Sequence, residues 1–392
     1  MFRVFTNSVS LRFGQRAVAL AWVLLGAVAF QGTGSEPVVA IPDLVKKPFS
    51  IEAFFLPPRA LASDFGSYRS PLMLDGGAEV KSASEWARRR ADILRYWHHT
   101  MGEWPPMLEK PQLEVLRSEV RENFIQHRVR LELARALFGE GWMLVPAGGG
   151  PFPAVLVPFY EPETSVGLND TKNRDFALQL TRRGFVTLSI GSPGGDARKP
   201  NTGEATCQPL SFLAYIAANA HTALAQRPEV DRHRIGIVGH SYGGKWAMFA
   251  AALHEKFACC VASDPGVVWD ESRSNVNYWE PWYLGHDTTG SRQPGLVTPE
   301  NPRTGAYREL VAAGHDLHEL HALIAPRPFL VSGGAEDQPD RWRALNHLAS
   351  VNRLLGFTNR VAMTNRPKHD PTPESNEQIY EFFEHFLLPP KK

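Results

Sequence analysis

The segment Arg234-Ile-Gly-Ile-Val-Gly-His-Ser-Tyr-Gly-Gly-Lys245 sets a serine between an apolar strand-like run and an apolar helix-like run. Within it, Gly239-His240-Ser241-Tyr242-Gly243 has the G-x-S-x-G spacing of a nucleophile carried on a sharp strand-to-helix turn. Such a turn leaves no room for side chains at its flanking positions, so glycine stands there. The turn lifts Ser241 Oγ clear of the strand and beside the positive end of the next helix. The backbone N–H of Tyr242 then faces the oxygen on which charge develops when a carbonyl is attacked. A dinucleotide-binding loop is excluded, because Gly236-Ile-Val-Gly239 lacks the G-x-G-x-x-G spacing.

A nucleophilic serine needs a base, and the base needs an acid to orient it. On a turn of this kind the partners follow in the order acid, then His. After the strand-like run Phe329 to Ser332 comes the carboxylate-rich loop Gly333-Gly-Ala-Glu-Asp-Gln-Pro-Asp-Arg-Trp342. The spacing Gly334-x-x-Asp337 selects Asp337 as the acid, with Glu336 and then Asp340 as alternatives. After the last strand-like run stands Asn365-Arg-Pro-Lys-His369-Asp-Pro-Thr-Pro, and His369 is the predicted base. His347 and His385 fall at helical spacing and are set aside. The second oxyanion donor is expected from the loop after the run Ala154 to Val157, as the backbone N–H of Phe159 or Tyr160. His315, His318 and His321 recur every three residues but lack the H-E-x-x-H arrangement of a catalytic zinc helix, so no metal and no other cofactor is predicted.

The 392 residues carry 42 Lys plus Arg against 41 Asp plus Glu, a net charge of +1. That balance gives no electrostatic reason to expect nucleic acid or an anionic membrane as partner. Arg3, Arg12 and Arg16 precede the apolar run Ala17 to Phe30 and the small residues Gly32 to Ser35, so residues 1–35 read as a secretory signal. The run is shorter than the ~20 residues a membrane helix needs. No membrane contact is expected after signal cleavage, and a secreted or periplasmic location follows. Cys207, Cys259 and Cys260 make no zinc pattern and read as buried small hydrophobes.

Residues 36–110 read as an N-terminal extension with one helix, in which Trp86, Ile93, Leu94, Trp97 and Met101 share a face and Ser82 or Ser84 is the cap. Residues 111–390 read as one α/β domain. Alternating strands at Leu113 to Val120, Phe124 to Leu133 and Gly141 to Val145 come first. Thereafter short apolar strands alternate with helices, which predicts a mostly parallel sheet covered on both faces. Residues 264–323 interrupt this rhythm and read as a cap or insertion. Its Trp269, Trp279 and Trp282 are candidate substrate contacts, since flat C–H faces of sugars stack on indoles; packing of the loop's own small core is the competing reading.

Over about residues 110 to 388 the chain resembles the α/β-hydrolases. Within them it is similar to bacterial acetylxylan esterase-like and glucuronoyl esterase-like proteins. The residues that carry this are SEWARRRADILRYW, Gly239-x-Ser241-x-Gly-Gly-Lys245 and His318-Glu-Leu-x-Ala-Leu-Ile-Ala-Pro-Arg-Pro328. The resemblance implies a secreted serine esterase acting on small-molecule or polysaccharide esters through an acyl-enzyme. Glucuronoyl esterases carry an Arg directly after the nucleophile, and this chain has Tyr242 there, a departure that counts against uronate esters. A uronate esterase, a serine peptidase or amidase of the prolyl-oligopeptidase type, and a non-catalytic carbohydrate-binding protein are the alternatives. The prolyl-oligopeptidase type shares the catalytic core, but no N-terminal stretch here is long enough for its propeller.

Overall fold

The computed structural model describes residues 50–290 and 292–388. The signal read at residues 1–35, and the extension as far as residue 49, lie outside them. Nine strands form one sheet: β1 (Leu113–Arg121), β2 (Phe124–Ala134), β3 (Leu137–Pro146), β4 (Phe152–Pro158), β5 (Val186–Ile190), β6 (Val230–His240), β7 (Cys259–Ser263), β8 (Phe329–Gly333) and β9 (Val361–Asn365). Their order is β1-β2-β3-β5-β4-β6-β7-β8-β9. β1, β2 and β3 pair antiparallel, and β3 joins β5 antiparallel; from β5 onward every pairing is parallel.

The apolar strands are buried on both faces because each face is covered. Along β4, Ala154 and Leu156 join one core with Leu188, Ile237 and Trp246, while Val155 and Val157 join the other with Val238, Val261 and Leu330. That alternation is the period-2 geometry of a strand between two layers of helices. Helices Pro209–Ala225 and Tyr242–Leu253 cover the first face, and the terminal helix Pro373–Leu387 adds Phe382 and Phe383 to the second.

The described part of the extension, from residue 50 on, belongs to the same body. Its helix Ala83–Met101 is capped by Ser82, whose side chain accepts from Glu85 N–H. Trp97 Nε1 donates to Glu319 Oε2 at 3.1 Å, and Arg90 donates to the Leu323 carbonyl, so the helix is docked on the helix His318–Ile324. The insertion between β7 and β8 holds two short helices, Gly305–Ala312 and His318–Ile324, amid turns. Its Tyr278, Trp279, Tyr283 and Tyr307 are buried in the larger core.

Candidate active site

Ser241 sits between the end of β6 and the helix Tyr242–Leu253 with φ 54° and ψ −113°. A non-glycine residue adopts such a conformation only where its surroundings over-determine it. They do so here: a Cβ on Gly239 would lie 2.0 Å from the Gly243 carbonyl oxygen, and one on Gly243 would lie 2.2 Å from that of Pro158. Ser241 N–H donates to the Ser263 carbonyl at 2.8 Å, which ties the turn to the end of β7.

His369 lies in the loop between β9 and the terminal helix, with its Nε2 2.9 Å from Ser241 Oγ. Its Nδ1 is 2.7 Å from Asp264 Oδ2. An ionised carboxylate only accepts, so Nδ1 carries the proton and Nε2 is left to accept from the serine hydroxyl. Arg366, buried, braces this loop: its guanidinium donates to the carbonyls of His369, Asp370 and Ser332. His240 lies beside His369, ring centroids 4.7 Å apart, and burial followed by the neighbouring His369 holds it well below the usual histidine range.

The carboxylate on His369 is therefore Asp264, at the end of β7, and not Asp337. Asp264 Oδ1 accepts N–H bonds from Gly334 at 2.6 Å, Asp337 at 2.9 Å and Glu336 at 3.1 Å. Asp337 is turned away from the histidine and accepts from Gly266 and Val267 N–H at 2.8 and 2.6 Å. Burial, and next the Asp264 charge, push the Asp337 carboxyl up to about 6. Glu336 does not reach His369 either; its side chain accepts from Asn275 Nδ2 at 3.2 Å. Asp340 lies on the short helix Pro339–Arg341 and pairs with Arg341.

Of the expected oxyanion donors, Tyr242 opens its helix, where a backbone N–H has no intrahelical acceptor. Phe159 is excluded, because its N–H donates to the Ile190 carbonyl at 3.0 Å as part of the sheet. Tyr160 lies in the loop directly after β4, beside the residue that follows the nucleophile. The Tyr160 ring stacks on Tyr242 at 4.6 Å, and burial raises its hydroxyl above the ordinary phenol range, keeping it a donor. The Tyr242 hydroxyl is held by Ser192 Oγ at 2.7 Å.

The three candidate tryptophans have separate fates. Trp279 is fully buried and donates to the Gly295 carbonyl at 2.8 Å, so it cannot stack on a substrate. Trp269 is bound between Trp97, Tyr278 and Tyr307 and donates to the His315 carbonyl at 2.8 Å, which makes it a packing residue. Trp282 is half-buried at the rim of a cavity of about 380 Å³ shared with the loop after β5. The repeated histidines serve different partners: His315 pairs with Glu319, His318 donates to the Arg69 carbonyl, and His321 packs against Phe329. Cys207, Cys259 and Cys260 are buried thiols.

Three residues were missed in the sequence: Asp264, Arg366 and Lys245. Lys245 is buried, with Nζ donating to the Pro265 and Asn275 carbonyls and lying 4.8 Å from the centre of the Tyr278 ring. Burial lowers its ammonium to about 8. It thus anchors the loop that follows Asp264. The available signal for Asp264 was its place directly after an apolar strand, in Ser263-Asp-Pro-Gly266.

Residues 216–313 match the model of the prolyl oligopeptidase family. The Bacillus subtilis (strain 168) protein YtaP, whose name assigns it to the hydrolases, is 27% identical over 64% of this chain and 81% of its own. Among solved structures, a glucuronoyl esterase from Solibacter usitatus superposes with a TM-score of 0.63 at 19% identity, covering 81% of this chain and 97% of its own. A Bacteroides fragilis NCTC 9343 protein, described as an acetyl xylan esterase, superposes with a TM-score of 0.51 at 16% identity, covering 81% of this chain and 80% of its own. The sheet order and these likenesses together establish that the chain has the α/β-hydrolase fold.

Proposed function

We propose that the chain is a serine-dependent carboxylic ester hydrolase working on carbohydrate esters, with Ser241 as nucleophile, His369 as base and Asp264 as the orienting acid. The observation that supports it is the continuous hydrogen-bond line from Ser241 Oγ through both nitrogens of His369 to Asp264, 2.9 and 2.7 Å long. In this reading His369 Nε2 takes the hydroxyl proton as Oγ attacks the ester carbonyl. The Tyr242 N–H receives the charge on the carbonyl oxygen. His369 returns the proton to the leaving alcohol, and water then attacks the acyl-enzyme by the same route. Asp264 keeps the imidazole in the required tautomer and stabilises the imidazolium between these transfers.

The carbohydrate part of the reading rests on the esterases the fold resembles and on the half-exposed Trp282. With the signal read at residues 1–35, it supports an activity outside the cytoplasm. The test is turnover of aryl acetate and of acetylated, feruloylated and methyl-esterified sugars by wild type and Ser241→Ala. Loss of ester turnover by about a thousandfold or more in Ser241→Ala is expected; activity retained in that variant overturns the reading. A peptidase reading is favoured by the prolyl oligopeptidase match alone, and cleavage of peptide anilides without aryl esters would select it.

A further inference from the structure

The cavity at Trp282 has a charge character that the triad does not explain. Its walls come from the loop after β5, residues 198–207, and from the insertion at Trp282, His286 and Thr288. Its basic side chains are Arg198, Lys199 and His286, and no Asp or Glu lines it. The Arg198 guanidinium lies 5.9 Å from the centre of the Trp282 ring, and among the described residues neither it nor Lys199 has an ion-pair partner. Asp196 accepts from Arg198 N–H within its own turn, Asp287 accepts from Thr289, and buried Glu280 faces Arg292 and Gly295 N–H. Two cations without an ion-pair partner beside an indole in a concave site leave it a net positive charge.

Aromatic packing links the cavity wall to the reacting centre. Trp282 neighbours Tyr283 at 6.2 Å, and Tyr283 neighbours Tyr242, the residue after the nucleophile, at 6.1 Å. From the other side, the Arg198 charge acts on Tyr160, whose ring stacks on Tyr242 at 4.6 Å. Trp282 thus stands two ring contacts from the residue after Ser241, a span on the order of a short oligosaccharide. We propose that the cavity is a subsite for an anionic sugar unit, one bearing a carboxylate or a sulfate, with the ring on Trp282 and the anion on Arg198 and Lys199. The proposal rests on the esterase reading only for the position of the ester; the binding itself is independent of turnover.

The test is calorimetric titration of full-length Ser241→Ala protein with oligogalacturonate, a sulfated galactan oligosaccharide and a neutral xylo-oligosaccharide of matched length, at low and high salt. At low salt one or both anionic ligands should bind about tenfold more tightly than the neutral one, and salt should erase the difference. The better of the two identifies carboxylate or sulfate as the preferred anion. Adding Arg198→Ala and Lys199→Ala together should remove the preference while the neutral ligand keeps its affinity; both positions are exposed, so the fold is unaffected, as a melting curve checks. Trp282→Ala should weaken all three ligands. Equal affinity for neutral and anionic ligands, or a preference that survives the double substitution, overturns the proposal. Failure of the wild type to turn over any ester would instead remove the esterase reading and leave the titration standing.

Discussion

Asp264 and Asp337 each accept hydrogen bonds from the backbone of the other's loop. Asp264 Oδ1 takes the N–H groups of Gly334, Glu336 and Asp337, and Asp337 takes those of Gly266 and Val267. The two loops leave neighbouring parallel strands, β7 and β8, at the same end of the sheet. The exchange therefore locks both loops, and it leaves one oxygen, Asp264 Oδ2, directed at His369. One carboxylate orients the histidine and the other fixes the loop that supports the first. Gly334 lets them approach, since a Cβ there would lie 2.6 Å from Asp264 Oδ2.

The two acids should therefore separate cleanly under substitution. Asp264→Asn should lower kcat by about ten-thousandfold, because the amide cannot hold the His369 tautomer. Asp337→Asn loses one of two acceptor contacts to buried N–H groups, and should cost about 1–3 kcal/mol of stability with a much smaller loss of kcat. Steady-state kinetics and denaturant melts on both variants check the ranking; a larger kcat loss at position 337 would return the acid to that loop.

Gly243→Ala probes the turn itself. The added methyl would meet the Pro158 carbonyl oxygen at 2.2 Å, and that oxygen belongs to a central strand that cannot give way. The variant should fail to accumulate as folded protein, or should melt far below wild type. Gly195→Ala is the contrast for space, because nothing lies within 4 Å of its Cβ, although its φ of +78° still carries some strain. Expression yield and thermal melts of the pair decide; a fully stable Gly243→Ala would contradict the geometry.

Acid stability should depend on His321. Burial, then the neighbouring His318 and His347, lower this imidazole to about 3, and neither ring nitrogen has a hydrogen-bond partner. A folded-state value below the unfolded ~6.5 means the unfolded chain binds the extra proton. Stability from this residue is full above pH ~6.5 and falls by about 1.4 kcal/mol per pH unit as the pH drops towards 3. His321→Leu should flatten the fall in stability between pH ~6.5 and ~4 by one proton, with little cost at neutral pH. Denaturant melts across that range provide the measurement; an unchanged slope would show that His321 takes up no proton on unfolding.

The parts of the site legible in the sequence were those fixed by local chain geometry. Gly239, Ser241 and Gly243 announce a turn because no other residues fit it, and His369 stands in a Pro-bounded loop after the last apolar strand. The acid was not legible, because the loops after two neighbouring strands each carry an aspartate and only the three-dimensional pairing of those loops decides which one turns to the histidine. Asp264 stood at the first position of a segment that reads as an insertion, so its chemistry was hidden by its address. Phe159 failed for a similar reason: whether a backbone N–H is spent in a sheet depends on where β4 ends relative to β5. The strands were legible throughout, since their apolar runs are bounded by Gly, Pro and charged turns.

The tryptophans of the insertion give the last contrast. Trp279 has 0% of its surface exposed and its indole N–H is satisfied inside the protein, whereas Trp282 is half-exposed at the cavity rim. Trp279→Ala opens a cavity in the core and should cost about 3–5 kcal/mol, impairing an aryl acetate and an acetylated oligosaccharide alike through loss of folded protein. Trp282→Ala removes a surface for a sugar ring rather than a core side chain. It should raise KM for the oligosaccharide several-fold with a small change in Tm, and its effect on the aryl acetate should be the lesser one. Parallel kinetics on the two substrates, with a melting curve for each variant, measure both axes at once. If Trp282→Ala instead loses Tm as Trp279→Ala does and impairs both substrates equally, the half-exposed indole is packing, and the sugar must be held elsewhere.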